Sequence, residues 1–543
     1  MIHRSSVTWF ARRQNTIAWV GVIVLALAAG TYFARALRPW GPWAFSDSAV
    51  YVTEGWNWAH GKGPIVWDGS TAPRWVIMFA PGYPALLALG LHWTPNWIAV
   101  ARAWDVVLVA LWVIALGMPA TKWAKPPWVV WSIAALFLFF PIVRAFSSVM
   151  SEPPFLVLNA LLVWTLVGAM GTKDPQQAQR RWQTSVLLSA LATLTRWAGL
   201  WSVLLLGWVA WQIPAERVKT KVRRLLTAVT ASPAAFALWI LISRWHQARK
   251  GRVLATSPEQ LWESSRAYVI ALGHLGLKWC SGLSSAAQII GVWSGIIAIT
   301  IALILTWNKA RFSEGGLWSW LWAAMGITWV PFLWITYIFT RPAPSIDLRM
   351  FTPALVSLSM AGLGIVWIGL HQIQRAPLRT WVAIGGLVVL LPLWRSSASA
   401  NFLATLRAQG LGYTHHSWHT MMQKGVLRAA EALPPSVTLI SNDPEGLMLW
   451  LHRPALSFSS FPTAVLDSQT APHPTQSTDS QQKILRHHEA LVLISVSRRR
   501  LNSHIPFNKT LQRLAKELYV CYTDVDGGVF LSRPRPTWCP FRP

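Results

Sequence analysis

Long apolar runs alternate along this chain with short basic segments, and most of the runs are as long as a membrane span. Thr16–Leu37 is long enough to cross a hydrocarbon core of roughly 30 Å. Similar runs cover residues 97–118, 127–143, 152–170, 225–243, 285–305, 316–339, 351–370 and 381–394. The run at 184–213 differs because both of its flanks are basic: Arg181 lies before it, and Arg217, Lys219, Lys221, Arg223 and Arg224 follow. A single tilted span would put the second cluster on the outer face, against the preference of Lys and Arg for the cytoplasm. The pattern therefore predicts two short helices meeting near Arg196, for about eleven transmembrane helices in all. Arg4, Arg12 and Arg13 precede the first span and place the N-terminus in the cytoplasm. A cleaved signal peptide ending at Ala26-Leu27-Ala28 is the competing reading, but the apolar stretch continues past it.

From about Ser396 the chain turns polar. Helix-like LRAAEAL and TLQRLAKEL, strand-like VTLI and ALVLISV, and a YVCYTDVDGGVFLS hairpin turning at Asp526-Gly527 predict a small α/β domain outside the cytoplasm. The fold class is thus a polytopic α-helical membrane protein, residues 1–395, with an extracytoplasmic α/β domain over 396–543.

Composition agrees with a membrane protein: 53% of the 543 residues are hydrophobic and 13% charged. The 38 Trp residues suit a bilayer interface, where an indole keeps its ring in lipid and its N–H hydrated. A net charge of +28 normally suggests nucleic acid. Here the cations recur between spans and match no nucleic-acid fold motif, so the expected partners are membrane lipids and no nucleic acid. Cys521 and Cys539 lie in the polar tail and are read either as a disulfide or as two thiols. No metal site is expected. His415, His416 and His419 have ligand-like spacing but no nearby carboxylate or cysteine to complete a set.

Candidate chemistry concentrates in the first external loop, residues 38–96, where Asp47, Glu54 and Asp68 fall between two apolar spans; carboxylates at a membrane boundary usually mark function. Asp47 also reads as a cap for a helix starting at Ser48. Tyr51 and Glu54 follow it by four and seven residues, on one face of a helix. They are read as lining an acceptor site or as part of an amphipathic interfacial helix. Asp68 reads as a turn residue in WDGS. Inside the second span, Asp105 is expected to pair with Arg102 one turn earlier.

Five segments in order carry a resemblance: FSDSAVYVTEGWNWAHGKGP followed by APGYPALLALG, then MSEPPFLVL, LATLTRWAGL, DLRMFTPAL and SNDPEGLMLWLHRPAL. Together they resemble the GT-C superfamily of membrane glycosyltransferases, of the protein O-mannosyltransferase-like and aminoarabinose-transferase-like kinds. The sequence departs from that pattern at Ala80-Pro81-Gly82-Tyr83, Arg196-Trp197, Arg349-Met350 and His452-Arg453-Pro454. The resemblance implies a polyprenyl-phosphate-linked sugar donor, an extracytoplasmic lipid, glycan or protein acceptor, no cofactor, and Asp47 as catalytic base.

Transfer from a lipid phosphate also needs cations for the leaving group. Arg74, Arg196 and Arg349 are the candidates, since guanidinium matches phosphate oxygens in bidentate geometry; each also reads as a snorkelling interfacial residue. Tyr83 joins Tyr51 and Glu54 among the candidate substrate-binding residues. Glu152 is expected to orient one of the arginines, to bind acceptor, or only to favour a helix dipole. The expected activity is an inverting glycosyltransferase of the bacterial inner membrane. A non-catalytic scaffold or degenerate transferase is the alternative, and a secondary transporter a more distant one, for want of paired Gly/Pro-broken halves.

Overall fold

The computed structural model describes residues 2–66, 74–75, 79–121, 129–130, 133–134, 136–137, 140–213, 218–246, 253–254, 257–277, 314–341, 348–372, 396–410, 412, 425–451, 453, 455–457, 489–494, 518–524 and 527–531. The membrane portion is built from α1 (Ile2–Leu37), α4 (Trp97–Ala120), α5 (Phe140–Ala145), α6 (Glu152–Gly171), α7 (Pro175–Thr195), α8 (Ser202–Gln212), α9 (Val218–Trp245), α10 (Pro258–Leu277), α11 (Glu314–Phe339) and α12 (Leu348–Gln372). Among the described residues, five stretches are long and apolar enough to cross a membrane: Thr16–Leu37, Trp97–Ala120, Glu152–Gly171, Val218–Trp245 and Gly315–Ile338. The expected spans at 285–305 and 381–394, and part of that at 127–143, lie outside the described residues. One apolar core joins α1 to α4, α4 to α6 and α6 to α11, with Phe33, Trp112, Phe155 and Trp329 fully buried in it.

The run with two basic flanks is broken as its charge pattern predicts. Asp174 caps α7 by accepting the Gln176 N–H at 2.9 Å, and Pro175 occupies the first helical position, where its missing N–H is harmless. The helix ends at Thr195; Arg196 is extended, and a 3₁₀ turn (Trp197–Trp201) leads into α8. Gly199 is what permits the reversal, since a Cβ there would sit 2.4 Å from the Thr193 nitrogen. Three buried hydroxyls then tie the pair to its neighbour: Ser189 of α7 bonds both Ser202 of α8 and Ser232 of α9. Small polar groups of this kind let helices approach closely in an apolar medium.

Between the first two spans the chain forms α2 (Ser46–Ala59), an antiparallel pair β1 (Ile65–Val66) and β2 (Arg74–Trp75), and α3 (Gly82–Leu91). Helix α2 begins two residues earlier than the sequence suggests. The Ser48 hydroxyl accepts the Phe45 N–H at 2.8 Å, closing the first turn, so Asp47 sits within that turn and does not cap the helix. At Gly82 a Cβ would lie 2.8 Å from the Leu194 carbonyl oxygen, so α3 starts directly against the end of α7. The expected Asp105–Arg102 pair does not form. Arg102 reaches back to donate to the Arg38 carbonyl at 2.9 Å, while Asp105 points into the core, where neither of its oxygens has a hydrogen-bond partner among the described residues.

The polar C-terminal part contains α13 (Ser396–Gln409), which lies on α1 and α5, and then α14 (Gly425–Glu431) and α15 (Pro444–Leu451) beside a five-stranded sheet. Its strands are β5 (Thr438–Ser441), β6 (Ala455–Ser457), β7 (Glu489–Ile494), β8 (Tyr519–Asp524) and β9 (Gly527–Leu531), in the order β6-β5-β7-β9-β8. Strand β5 runs parallel to β6 and β7, while β9 runs antiparallel to β7 and β8. Asn442 extends the β5–β7 ladder with its side chain, donating to the Ile494 carbonyl and accepting the Ile494 N–H. Cys521 on β8 is disulfide-bonded. Arg453, within the stretch that departs from the family pattern, is a clasp. It donates to the carbonyls of Ala430, Leu433, Pro434 and Val437, satisfying acceptors left open where α14 ends.

Charged donors contribute more per bond than neutral ones. Arg453→Ala is therefore expected to cost about 2–4 kcal/mol locally, read as faster amide exchange over residues 425–457 with α6 unchanged.

Candidate active site

Four of the residues singled out in the sequence meet at the ends of three helices. Asp47 and Tyr51 come from α2, Glu152 opens α6, and Arg196 occupies the break between α7 and the 3₁₀ turn. The Arg196 guanidinium is held on three sides. Its Nη1 lies 2.8 Å from Glu152 Oε1 and 3.2 Å from Ser151 Oγ, and its Nη2 lies 3.1 Å from the sulfur of Met350. Ser151 also bonds the Tyr51 hydroxyl, at 3.2 Å, so one serine bridges the tyrosine and the arginine. Glu152 is almost fully buried and meets Arg196 as an ion contact, leaving its hydrogen-bonding capacity unfilled among the described residues.

The Tyr51 hydroxyl reports on what surrounds it. Burial, then the charge of Asp47, and more weakly that of Glu152, raise its pKa; Arg196 and the bond from Ser151 act the other way. The tyrosine therefore stays neutral and serves as a hydrogen-bonding group. Phe79 and Tyr83 meet its ring edge-on at 5.1 and 5.3 Å, fixing its direction. Tyr83 itself is fully buried, with its hydroxyl beside the Met150 backbone.

The loop before α6 locks α2 in place. Trp43 N–H donates to the Ser147 carbonyl, Val149 N–H donates to the Trp43 carbonyl, and Ser48 Oγ donates to the Val149 carbonyl at 2.7 Å. Arg144 lies over the rings of Trp43 and Phe45, with its Cζ 5.0 and 5.6 Å from their centroids. Asp47 is half-buried at the edge of this arrangement.

Other candidates fall elsewhere. Arg349 belongs to the first turn of α12, next to Met350, and its side chain is outside the described residues, as is that of Arg74 on β2. Asp68 and the three histidines lie outside the described residues altogether. Among the described residues no three His, Cys, Asp or Glu side chains are grouped to hold a metal ion. Sequence reasoning missed Ser151, Ser48 and Met350. All three sit inside motifs that had been quoted, and the clue was the serine beside Glu152, which reads as a helix cap but turns inward.

Among the described residues Glu54 joins none of these side chains: it is fully buried, and neither carboxylate oxygen has a hydrogen-bond partner there. Burial alone holds its pKa well above the ordinary value of 4.5. The folded protein keeps the proton and the unfolded chain releases it, so the associated stability is fully present below about pH 4.5 and is lost as pH rises through the folded value. Glu54→Gln should match wild type in thermal unfolding near pH 4.5 and unfold at higher temperature than wild type in mildly alkaline buffer.

No protein-family model and no curated protein matches the chain. Solved structures do. A crystal structure of ArnT from Cupriavidus metallidurans bound to undecaprenyl phosphate matches at 13% identity and a TM-score of 0.51, covering 95% of this chain and 98% of that one. The same enzyme in the apo state matches at 11% identity and a TM-score of 0.52, covering 94% and 98%. Over nearly its whole length, the chain has the fold of ArnT.

Proposed function

We propose that the protein is an inverting glycosyltransferase that moves a sugar from a polyprenyl-phosphate donor to an extracytoplasmic acceptor, in a multi-pass inner-membrane setting with a cytoplasmic N-terminus. The observation that carries this reading is the meeting of Asp47, Tyr51, Ser151, Glu152 and Arg196 at the ends of three helices, in a chain with the fold of ArnT. A carboxylate beside a fixed guanidinium supplies the two things the reaction needs, a base and a cation.

In this mechanism Asp47 takes the proton of the acceptor hydroxyl, and the oxygen attacks the anomeric carbon from the side opposite the phosphate. The bond between anomeric carbon and phosphate oxygen breaks, the electron pair leaves with the polyprenyl phosphate, and the new linkage has inverted configuration. Arg196, joined by Arg349 from the adjacent start of α12, stabilises the charge that grows on the leaving phosphate. Tyr51 and Ser151 orient the reacting groups, and Glu152 holds Arg196 in line while keeping hydrogen-bonding capacity for the acceptor. Tyr83 supports Tyr51. The division into a catalytic membrane domain, 1–395, and an extracytoplasmic domain, 396–543, belongs to this same reading.

The test is transfer from a labelled panel of polyprenyl-phosphate sugars to membrane-extract acceptors. Wild type should transfer label from one donor, and Asp47→Asn should lower kcat by about 10²–10⁴-fold with retained folding; equal transfer by both proteins would remove Asp47 as the base. Arg196→Lys keeps the charge but loses the fork. It is expected to lower kcat/KM for the donor by about tenfold or more, whereas full activity would show that Arg196 only braces Glu152.

A further inference from the structure

Among the described residues, three hydrogen bonds join the C-terminal part of the chain to the loop that carries Asp47 and to the start of α4. The Trp40 indole N–H donates to the Ala408 carbonyl at 3.1 Å, at the end of α13. The Ala44 N–H donates to the Gly412 carbonyl at 2.8 Å, presented by a glycine whose φ of +56° favours that residue type. The third is the most buried. The Trp97 indole N–H, at the start of α4, donates to the Leu449 carbonyl of α15 at 3.1 Å.

These contacts are not a loose apposition of surfaces. Leu449 is 2% exposed and belongs to the same apolar cluster as Tyr51, Val52, Tyr83 and Trp97. Helix α15 lies directly on α2. It is itself fixed to the sheet: Asp443 accepts the Gly446 N–H at 3.1 Å, and Asn442 next to it bonds both backbone groups of Ile494. A rigid connection therefore runs from β7 through Asn442 and α15 to the helix that bears Asp47.

We infer that the C-terminal sheet and α15 form a brace that sets the position of α2, and that Trp97 is a positioning residue for the transfer reaction, acting through α2 on Asp47. This rests on the reading of Asp47 as the base. Displacement of a catalytic group by about 1 Å costs up to about 10²-fold in rate. A brace built from residues outside the Asp47–Arg196 cluster controls that distance through α2, and so acts on kcat and leaves donor binding alone.

The test uses the full-length protein in nanodiscs. Trp97→Phe keeps the ring and removes the N–H; Leu449→Ala loosens the same contact from the other side and serves as the second variant should the first fold poorly. Two readouts are taken: amide exchange over residues 46–59, with α6 as internal reference, and kcat and KM for the donor. The expected result is faster exchange in 46–59, unchanged exchange in α6, and a kcat lower by roughly ten- to a hundredfold at unchanged KM. Unchanged exchange in 46–59 in both variants would overturn the brace, whatever the activity. Faster exchange with wild-type kcat would overturn the positioning role. If wild type transfers no sugar from any donor, the proposed reaction fails on its own, and the exchange readout still decides the brace.

Discussion

The Arg196 side of the candidate site depends on one ion contact, between Arg196 and the almost fully buried Glu152. Two buried charges are costly to desolvate, and their attraction offsets that cost only when geometry is good and further donors and acceptors are met. Ser151 and the Met350 sulfur meet the guanidinium on its remaining sides, which is why α6, the α7 break and the start of α12 must converge. Removal of Arg196 leaves Glu152, almost fully buried, without its ion contact. The glycines follow from the same demand, since Gly199 permits the reversal that frees Arg196 from helical geometry and Gly82 lets α3 lie against the residues just before it.

The loop with Asp47 is held by different forces. It is clamped by backbone pairing of Trp43 with the segment before Ser151, by the Ser48 hydroxyl, and by an aromatic pair under Arg144. These contacts fix the direction of α2 without using any group that the reaction needs. Asp47 thereby sits half-buried on a helix of fixed direction.

Much of this was legible in the sequence because membrane physics is one-dimensional at first approximation. Span length reads directly from apolar runs, and the break at Arg196 reads from cations on both flanks, which no single crossing tolerates. The tail strands showed themselves by their β-branched runs. Side-chain partners were not legible. Arg102 and Asp105 are one turn apart, yet Arg102 serves the open carbonyl end of α1 while Asp105 turns inward; spacing along a helix says which residues are neighbours but not which competing acceptor wins. Arg453 looked like part of a functional motif and is structural, because four carbonyls at the end of α14 needed a donor. Ser151 precedes Glu-Pro-Pro where a capping serine would stand, yet its hydroxyl makes no cap bond and turns to Tyr51 and Arg196.

The serine triad at Ser189, Ser202 and Ser232 has a consequence for how the chain is made. Helix α8 has 11 residues, about 16 Å at 1.5 Å per residue, and neither it nor α7 is among the stretches long and apolar enough to cross a membrane alone. Ser189 meets Ser202 on α8 and Ser232 on α9, so its bonds are complete only once α9 has been made and has packed on the other two. The turn that carries Arg196 is therefore tied to its neighbour only after a stretch of chain well beyond it has been synthesised.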